Sequence, residues 1–461
     1  MAELRFEDAA RRMGGRLVAG SASLSARGYV IDARCARPGD LFFAVVAGRD
    51  GHDFVGQAAA NGAAGAVVSK DVPSPGGSFG LILVPDTVRA LQDLARSVLA
   101  DHPVKVVAVT GSVGKTTAKE FMAEILSAKF TVLKSEKNFN NHLGLALSLL
   151  RLEKSHEVAV LEMGMNAPGE IAALTWISPP DVAVITNIRP VHLQNFADME
   201  GLAQAKKEIL DGAKPGGIAV LNGDDPRVLG IAASWRGRKV TFGRSGKCDV
   251  RVSGVRRRGY EGLSVDLVYG RENAAVDLAF LSESVIEDFL AAAAAAYAMS
   301  VPVRDVVERA AAMRPQPMRG NLVRLRNGIR LIDDSYNSNP TALETALKSL
   351  TLLPAGRRVA VLGDMLELGP KEREFHLEAG RTAALSGWNL LVTVGPLAGL
   401  MAEGAASAGM DRARIVSFAG TGEAAPAVPP LVAAGDLVLV KGSRGMKMEK
   451  IVESLRERLG E

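Results

Sequence analysis

The residues best suited to chemistry lie at positions 110–117, in the run Thr-Gly-Ser-Val-Gly-Lys-Thr-Thr. The apolar run Val104 to Val109 precedes them, and a helix-favouring run, Ala118 to Ala128, follows. Glycines in such a turn let backbone N–H groups face a polyphosphate, and the positive end of the following helix strengthens that field. Lys115 can then reach the outer phosphates, and Thr116 can coordinate Mg²⁺. This arrangement predicts a binding site for a nucleoside triphosphate.

The glycine spacing in this run differs from that of the common phosphate-binding loop. The common form would begin with a glycine where this chain has Val109, so the shorter form Gly-x-x-Gly-Lys-Thr remains. The alternative is a chance glycine turn before a helix, but the apolar strand, the lysine and the paired threonines favour phosphate binding. The predicted nucleotide-binding residues of the loop are Thr110, Gly111, Ser112, Val113, Gly114, Lys115, Thr116 and Thr117.

Two further side chains stand where predicted strands end. The runs Glu157 to Glu162, Asp181 to Asn187 and Gly217 to Asn222 are short, rich in β-branched residues and polar at their ends. The carboxyl ends of parallel strands meet at one edge of a sheet, so Glu162 and His192 can converge on a metal ion beside the phosphates. A purely structural role for either side chain is the alternative. We predict that both are metal ligands together with the loop threonine.

Composition excludes several classes of function. The chain has 461 residues, a net charge of +4 and only 5% aromatic residues, which does not indicate a nucleic-acid groove. The basic cluster Arg256 to Arg258 is interpreted as a solvated loop. Cys35 and Cys248 match no metal or redox spacing, and no apolar stretch approaches the roughly 20 residues that span a bilayer. We therefore expect a cytoplasmic protein that binds no nucleic acid and inserts in no membrane.

The length suggests about three domains, each of α/β type. We predict a small N-terminal α/β substrate domain at 1–85, a central domain with the phosphate loop and a mostly parallel sheet at 86–315, and a C-terminal Rossmann-like, doubly wound domain at 316–461. The prolines of the segment Arg314 to Pro317 mark the second boundary. The strands predicted in the third domain are Arg330 to Asp333, Arg358 to Gly363, Leu390 to Gly395, Arg414 to Phe418 and Asp436 to Lys441.

Five further polar residues lie at three places in the chain, and at two of these places a functional and a structural interpretation are both open. Asp32 and Arg34 stand in a loop that can bind a ligand, or they form a local ion pair that caps a turn. Lys206 lies on a predicted helix and reads as an exposed lysine. Ser443 and Arg444 follow a predicted strand, where a hydroxyl and a planar guanidinium suit a substrate carboxylate; a solvated basic turn is the alternative.

The motifs taken together resemble the Mur ligases of peptidoglycan synthesis, and among them the MurF type. The resemblance covers nearly the whole chain. The segments that carry it are 110–117, Asn138 to Gly144, Glu162 to Asn166, Thr186 to Ile188 with His192, Asp333 to Pro340 (Asp-Asp-Ser-Tyr-Asn-Ser-Asn-Pro), Leu362 to Gly369 (Leu-Gly-Asp-Met-Leu-Glu-Leu-Gly) and Lys441 to Glu449 (Lys-Gly-Ser-Arg-Gly-Met-Lys-Met-Glu).

The resemblance implies an ATP-dependent carbon–nitrogen ligase. Such an enzyme joins UDP-N-acetylmuramoyl-tripeptide to D-alanyl-D-alanine through an acyl phosphate and releases ADP and phosphate. It also implies Mg²⁺, as two ions, and a lysine carbamylated by CO₂ at Lys206 that helps to hold the second ion. We expect a monomer.

The resemblance implies roles for individual residues as well. Arg319 and Asp334 match groups that touch the γ-phosphate and the ribose, with Asn337 and Asn339 nearby. Catalytic roles fall on Lys115, Lys206, His192 and Glu162, and substrate-binding roles on Asp32, Arg34, Asn138, Asn140, Ser443 and Arg444.

Two departures from the family pattern stand out. Ala33 replaces a serine between the two N-terminal residues, which removes one hydroxyl contact to the sugar nucleotide. The family's adenine motif His-Asn-x-x-Asn would fall at Ser284, Val285 and Asp288, so none of its three side chains is kept.

Two other readings compete with this one. Another amide ligase of the same superfamily, of the folylpolyglutamate or the diaminopimelate-adding type, shares the phosphate loop, although the third domain shows no substrate motif of the latter. A nucleotide-dependent switch protein that only hydrolyses ATP would leave the motifs of the other two domains unexplained.

Overall fold

The computed structural model describes residues 3–136, 139–190, 195–196 and 198–460. Within them lie three large sheets, of five, nine and six strands in chain order, together with two short two-stranded ribbons. The predicted α/β architecture, with a mostly parallel central sheet and a doubly wound C-terminal sheet, is confirmed. Among the described residues, no helix is both long and apolar enough to cross a bilayer.

The first sheet has the strand order β2-β9-β8-β5-β4, in which only β2 is antiparallel to its neighbour. Phe6 is fully buried beneath it. A Cβ added at Gly65 or Gly80 would lie 2.3 Å or 2.5 Å from the Phe6 ring, so this ring requires glycine at both positions. The elements are β1 (Leu4–Arg5), α1 (Phe6–Arg12), β2 (Arg16–Ala19), β3 (Ser25–Ala26), β4 (Gly28–Val30), β5 (Asp40–Phe43), β6 (Val46–Ala47), β7 (Arg49–Asp50), α2 (Val55–Ala60), β8 (Gly65–Val68) and β9 (Gly80–Leu83).

The second sheet is built around β10 and is covered by helices on both faces. Along β10, Val106 and Ala108 belong to one apolar core, and Val107 and Val109 belong to the core on the opposite face. Such two-sided burial explains the continuous apolar run in the sequence. Its elements are α3 (Thr87–Ala100), β10 (Lys105–Thr110), α4 (Lys115–Leu126), β11 (Val132–Lys134), α5 (His142–Leu149), β12 (Val158–Glu162), α6 (Glu170–Ile177), β13 (Val182–Ile185), α7 (Met199–Asp211), β14 (Ile218–Asn222), α8 (Pro226–Ile231), β15 (Arg238–Gly243), β16 (Val250–Arg257), β17 (Leu263–Tyr269), β18 (Glu272–Leu278), α9 (Ser284–Ala298) and α10 (Val303–Ala312).

The order of this sheet is β11-β12-β10-β13-β14-β15-β16-β17-β18, with β11 to β16 parallel and the last two pairs antiparallel. The antiparallel edge corrects the interpretation of Arg256 to Arg258 as a solvated loop, because Arg256 and Arg257 lie in β16. Arg256 forms an ion pair with Asp266 of β17 at 2.6 Å, and Arg257 pairs with Glu283 at 2.7 Å, so these two charges lie on a paired strand rather than in a loop.

The third sheet has the order β19-β20-β24-β21-β22-β23, in which only β19 is antiparallel to its neighbour. The last strand is inserted between β20 and β21, so loops from distant parts of the chain meet at one edge. The elements are β19 (Asn321–Arg324), β20 (Arg330–Asp334), α11 (Pro340–Leu350), β21 (Arg358–Gly363), α12 (Glu372–Leu385), β22 (Leu390–Val394), α13 (Ala398–Ser407), β23 (Ile415–Phe418), α14 (Thr421–Ala427), β24 (Leu437–Lys441) and α15 (Glu449–Leu459). The domain boundaries at 85/86 and 315/316 stay predictions.

Helices α12 and α13 approach each other closely through two glycines. A Cβ on Gly380 would lie 1.9 Å from the carbonyl oxygen of Met401, and one on Gly404 would lie 2.0 Å from that of Leu377. Neither obstacle is a flexible side chain, so an added methyl group must push the helix backbones apart.

We therefore predict that Gly404→Ala lowers the free energy of unfolding by about 1–3 kcal/mol, in the range of other overpacked sites. Gly399→Ala on the same helix is the matched control, because nothing lies within 4 Å of its added Cβ. Urea unfolding of both variants measures the difference. Equal midpoints for the two variants would contradict the close-packing argument.

Candidate active site

The phosphate loop joins β10 to α4 and needs glycine at two positions. Gly114 precedes the first residue of α4 and has a left-handed φ of 88°. A Cβ there would lie 1.8 Å from Oδ1 of Asp288, and one at Gly111 would lie 1.9 Å from Oγ1 of Thr186. Any side chain at either position would collide with a neighbouring element, so the loop can approach these neighbours only as glycine.

Residues that directly follow β13 hold the loop through hydrogen bonds. Thr186 Oγ1 donates to the carbonyl of Val113 at 2.8 Å, and the N–H of Val113 donates to Oδ1 of Asn187 at 3.0 Å. Ser112 Oγ accepts from the N–H of Arg189 at 2.9 Å. These bonds fix the loop backbone before any ligand arrives, which lowers the entropy cost of binding.

Lys115 is the first residue of α4, and its side chain folds back over the loop. Its Nζ donates to the carbonyl oxygens of Gly111 at 2.9 Å and Ser112 at 3.2 Å. Desolvation lowers the pKa of this ammonium, and the Glu162 carboxylate partly offsets that change. The ammonium is therefore held at the mouth of the loop, where a polyphosphate would contact it.

Glu162 ends β12, and its carboxylate is buried at 2% exposure. Oε1 accepts from Nδ2 of Asn140 at 2.9 Å, whereas Oε2 is buried without a hydrogen-bond partner among the described residues. An unpaired buried carboxylate oxygen is costly, and a divalent cation would relieve that cost. Glu162 and the hydroxyl of Thr116 thus fit Mg²⁺, although the described residues contain no cluster of three or more His, Cys, Asp or Glu side chains suited to a metal. The third predicted ligand, His192, lies outside the described residues, as does Asn138.

Lys206 lies on α7 and is buried at 2% exposure, which corrects its interpretation as an exposed lysine. Burial lowers the pKa of its amine well below the usual lysine range, and the nearby charge of Lys115 acts in the same direction. The next residue, Lys207, is partly exposed and forms an ion pair with Asp211 at 2.7 Å. Burial of Lys206 thus favours the uncharged form of its amine.

The C-terminal domain brings its own charges to the phosphate loop. Nη2 of Arg319 lies 3.5 Å from Oγ1 of Thr116. Asp334 ends β20 and accepts from Nζ of Lys441 at 2.6 Å, and that ammonium also donates to the carbonyl of Asn337 at 2.9 Å. Asn339 caps α11 by accepting from the N–H of Ala342 at 2.9 Å, so part of its role is structural.

A cleft of about 720 Å³ lies between the central and C-terminal sheets and collects most of the predicted nucleotide and metal residues. Such a cleft, at the carboxyl ends of parallel strands, is the usual place for a ligand in folds of this type. The predicted residues that line it are Ser112, Val113, Gly114, Lys115, Thr116, Thr117, Asn140, Glu162, Arg319, Asp334, Asn337 and Asn339.

Four predicted substrate residues lie outside this lining. Asp32 and Arg34 pair with each other at 2.7 Å, and Asp32 also caps the short turn that follows, so the alternative of a local ion pair describes their geometry. Ser443 is buried, with its hydroxyl accepting from the N–H of Leu366 at 2.9 Å. Arg444 has an exposed guanidinium that pairs with Glu449 at 3.1 Å. Their roles in substrate binding stay predictions.

Of the remaining loop residues, Thr110 and Gly111 are buried beneath the cleft rather than in its lining.

The structure adds a polar cluster that sequence reasoning did not assign to the site. Arg189 pairs with Glu287 at 2.6 Å, and Glu287 also accepts from the amide of Asn187. Desolvation raises the pKa of the Glu287 carboxyl. All three side chains line the cleft beside the positions where the family's adenine motif is replaced. The position of Asn187 at the end of a predicted strand was the available signal for this cluster.

Comparisons with known proteins agree with this arrangement. Residues 109–296 match the model of the Mur ligase middle domain, and residues 318–444 match that of the Mur ligase glutamate ligase domain. The chain is 37% identical over 432 residues to a Bacillus subtilis protein named UDP-N-acetylmuramoyl-tripeptide–D-alanyl-D-alanine ligase, and the match covers 93% of each chain.

Two solved structures give the same result. MurF from Acinetobacter baumannii has a TM-score of 0.89 and 29% identity, with 99% of this chain and all (100%) of that chain covered. MurF ligase from Thermotoga maritima, solved in complex with ADP, has a TM-score of 0.82 and 30% identity, with 94% and 98% covered. With its phosphate loop, its interdomain cleft and relatives of this similarity along nearly its full length, the chain belongs to the Mur ligase family and, within it, to the MurF type.

Proposed function

We propose that this protein forms an amide bond between the terminal carboxylate of UDP-N-acetylmuramoyl-tripeptide and the amine of D-alanyl-D-alanine, with cleavage of ATP to ADP and phosphate. The observation that carries the proposal is the cleft in which Lys115, Glu162 and Arg319 meet around the phosphate loop. Its geometry suits phosphoryl transfer to an oxygen nucleophile. The name of the Bacillus subtilis relative supports the choice of substrates.

The main obstacle to this reaction is electrostatic repulsion between a carboxylate and a triphosphate. Lys115 and Arg319 place positive charge at the phosphate loop from two domains, and they do so in a cleft where solvent screening is reduced. Mg²⁺, as two ions, would be held by Thr116, Glu162, His192 and Lys206, and when bound it supplies further charge neutralisation on the phosphates.

The reaction proceeds in two steps. A carboxylate oxygen of the tripeptide attacks the γ-phosphorus, the bond to the β-phosphate oxygen breaks, and ADP leaves with that electron pair. The amine of the dipeptide then attacks the acyl carbon of the acyl phosphate and forms a tetrahedral intermediate. Collapse of this intermediate breaks the bond between carbon and the phosphate oxygen and releases inorganic phosphate, while the amine loses a proton.

Lys206 is proposed to carry a carbamate. The structure supports this because burial favours the neutral amine, which is the form that attacks CO₂. The neutral amine nitrogen bonds to the carbon of CO₂ and releases one proton, so an uncharged group becomes an anion. A divalent cation prefers an anionic oxygen ligand such as this carbamate to an ammonium.

The remaining contacts are proposed for the two peptide substrates and the sugar nucleotide. Asp32 and Arg34 would hold the sugar nucleotide if their mutual ion pair opens, and Asn138 with Asn140 would act near the metal and the tripeptide. Ser443 and Arg444 are assigned to a substrate carboxylate. We also propose that the protein is a monomer in the cytoplasm, where ATP and the nucleotide-linked precursor are found.

The function is tested by measuring phosphate release from ATP with each peptide substrate alone and with both, together with mass analysis of the product. Release that requires both substrates, with a product heavier by the dipeptide minus water, is expected. The variant Lys115→Ala should lose this turnover, since its charge contributes several kcal/mol in comparable sites, on the order of a hundredfold or more in kcat. Release without either substrate would instead support a switch protein.

Lys206→Ala should abolish most activity, and a short carboxylic acid in the buffer should restore part of it by supplying the missing anion. The matched control is Lys207→Ala, which removes an adjacent lysine that is paired with Asp211. Its kcat should stay within about twofold of wild type, because exposed ion pairs contribute little. Full activity in Lys206→Ala would remove any catalytic role for the carbamate.

Arg444→Lys should raise KM for one peptide substrate and leave KM for ATP nearly unchanged. The charge is kept but the planar bidentate fork is lost, and the side chain is exposed enough to meet a ligand. Arg381→Lys on α12, also exposed, serves as the control. Equal changes for all three substrates would indicate that the loop supports the closed arrangement of domains instead.

A further inference from the structure

The ring of Tyr336 lines the cleft and lies against two arginines. The guanidinium carbon of Arg319 is 4.0 Å from the ring centroid, and that of Arg444 is 5.8 Å from it. Both distances are within the range in which a cation is attracted to an aromatic face. The closer arginine is the one whose Nη2 reaches Oγ1 of Thr116 in the phosphate loop.

The backbone fixes this ring relative to Arg319. The N–H of Tyr336 donates to the carbonyl of Met318 at 3.0 Å, and the N–H of Gly320 donates to the carbonyl of Asp333 at 2.8 Å. The two residues on either side of Arg319 are therefore both hydrogen-bonded to the segment at the end of β20 that carries Tyr336. Met318 itself has a left-handed φ of 64°, which a non-glycine residue adopts only when its surroundings require it.

Arg319 differs from two of the other arginines that line the cleft, Arg189 and Arg244, in how it is held. Arg189 pairs with Glu287 at 2.6 Å, and Arg244 pairs with Glu283 at 3.1 Å. Among the residues described by the structure, no carboxylate lies within ion-pair distance of Arg319, and the one hydrogen bond of its side chain is the 3.5 Å contact to Thr116. A long arginine side chain loses considerable rotamer entropy when it is fixed, so a contact other than an ion pair must compensate for that loss in Arg319.

An aromatic ring does this without cancelling the charge. A carboxylate partner would orient the guanidinium but would also neutralise the field at the phosphate loop, whereas the ring quadrupole attracts the cation and leaves its net charge intact. A planar guanidinium that lies over a ring can keep its N–H groups free at the edge for oxygen acceptors. Such an arrangement suits a residue that must meet a phosphoryl group.

We propose that Tyr336 is a positioning residue that holds Arg319 towards the triphosphate through its aromatic face. This inference rests on the proposed function only in so far as Arg319 contacts the outer phosphates of ATP. The aromatic ring of Tyr336, and not its hydroxyl, positions Arg319, so the effect of Tyr336 on ATP binding depends on Arg319.

The test measures the equilibrium affinity of a non-hydrolysable ATP analogue for Tyr336→Phe and Tyr336→Leu, each with and without Arg319→Ala. Tyr336→Phe should stay within about twofold of wild type, and Tyr336→Leu should bind about three- to tenfold more weakly, the range expected for one cation–π contact. In the Arg319→Ala background, Tyr336→Leu should cause no further loss. A loss of the same size in that background, or none in the first, would overturn the proposal.

Fluorinated phenylalanines at position 336 keep the test decisive if the leucine variant does not fold. Successive fluorination weakens the ring quadrupole with little change in shape, so affinity for the analogue should fall step by step. A flat series would overturn the proposal. Wild-type phosphate release with both peptide substrates, measured on the same preparation, separates failure of this inference from failure of the proposed function.

Discussion

Repulsion between a carboxylate and a triphosphate is the constraint on which the rest of this structure depends. Two anions come together only where positive charge is concentrated and water is largely excluded. The central sheet supplies that charge through Lys115, and the C-terminal sheet supplies it through Arg319. Because the two cations come from different domains, the full field exists only when the cleft between the domains is formed.

The geometry of parallel sheets places these groups. Strand β10 leads directly into the phosphate loop. Its neighbour β12 ends at Glu162, and its other neighbour β13 ends shortly before Asn187, at the same edge of the sheet. In the third sheet, insertion of β24 beside β20 brings Lys441 next to Asp334. A site built on strand ends has a backbone fixed by the hydrogen bonding of whole sheets, which positions it more precisely than a site on loops.

Sequence reasoning locates the phosphate loop and several strands of the second and third sheets, because those features depend on local spacing and apolar runs. It did not predict the burial of Lys206, which depends on how α7 packs against residues far away in the chain. The pairing of Asp32 with Arg34 was one of two open readings, and only coordinates show that the carboxylate and guanidinium meet. Sequence reasoning does not predict the strand that carries Arg256, because its charged residues obscure the alternation of buried and exposed positions typical of a strand. The contact of Arg319 with the ring of Tyr336 joins two segments across a turn, and no periodic pattern of residues in the sequence indicates this contact.

The most direct test of this account follows an oxygen isotope. The tripeptide substrate is prepared with ¹⁸O in both oxygens of its terminal carboxylate, and the reaction is run with ATP and the dipeptide. If the carboxylate attacks the γ-phosphorus, each released phosphate carries one ¹⁸O and the new amide carbonyl keeps the other. Phosphate without label, or label found in AMP, would contradict an acyl phosphate and with it the role assigned to the charges of Lys115 and Arg319.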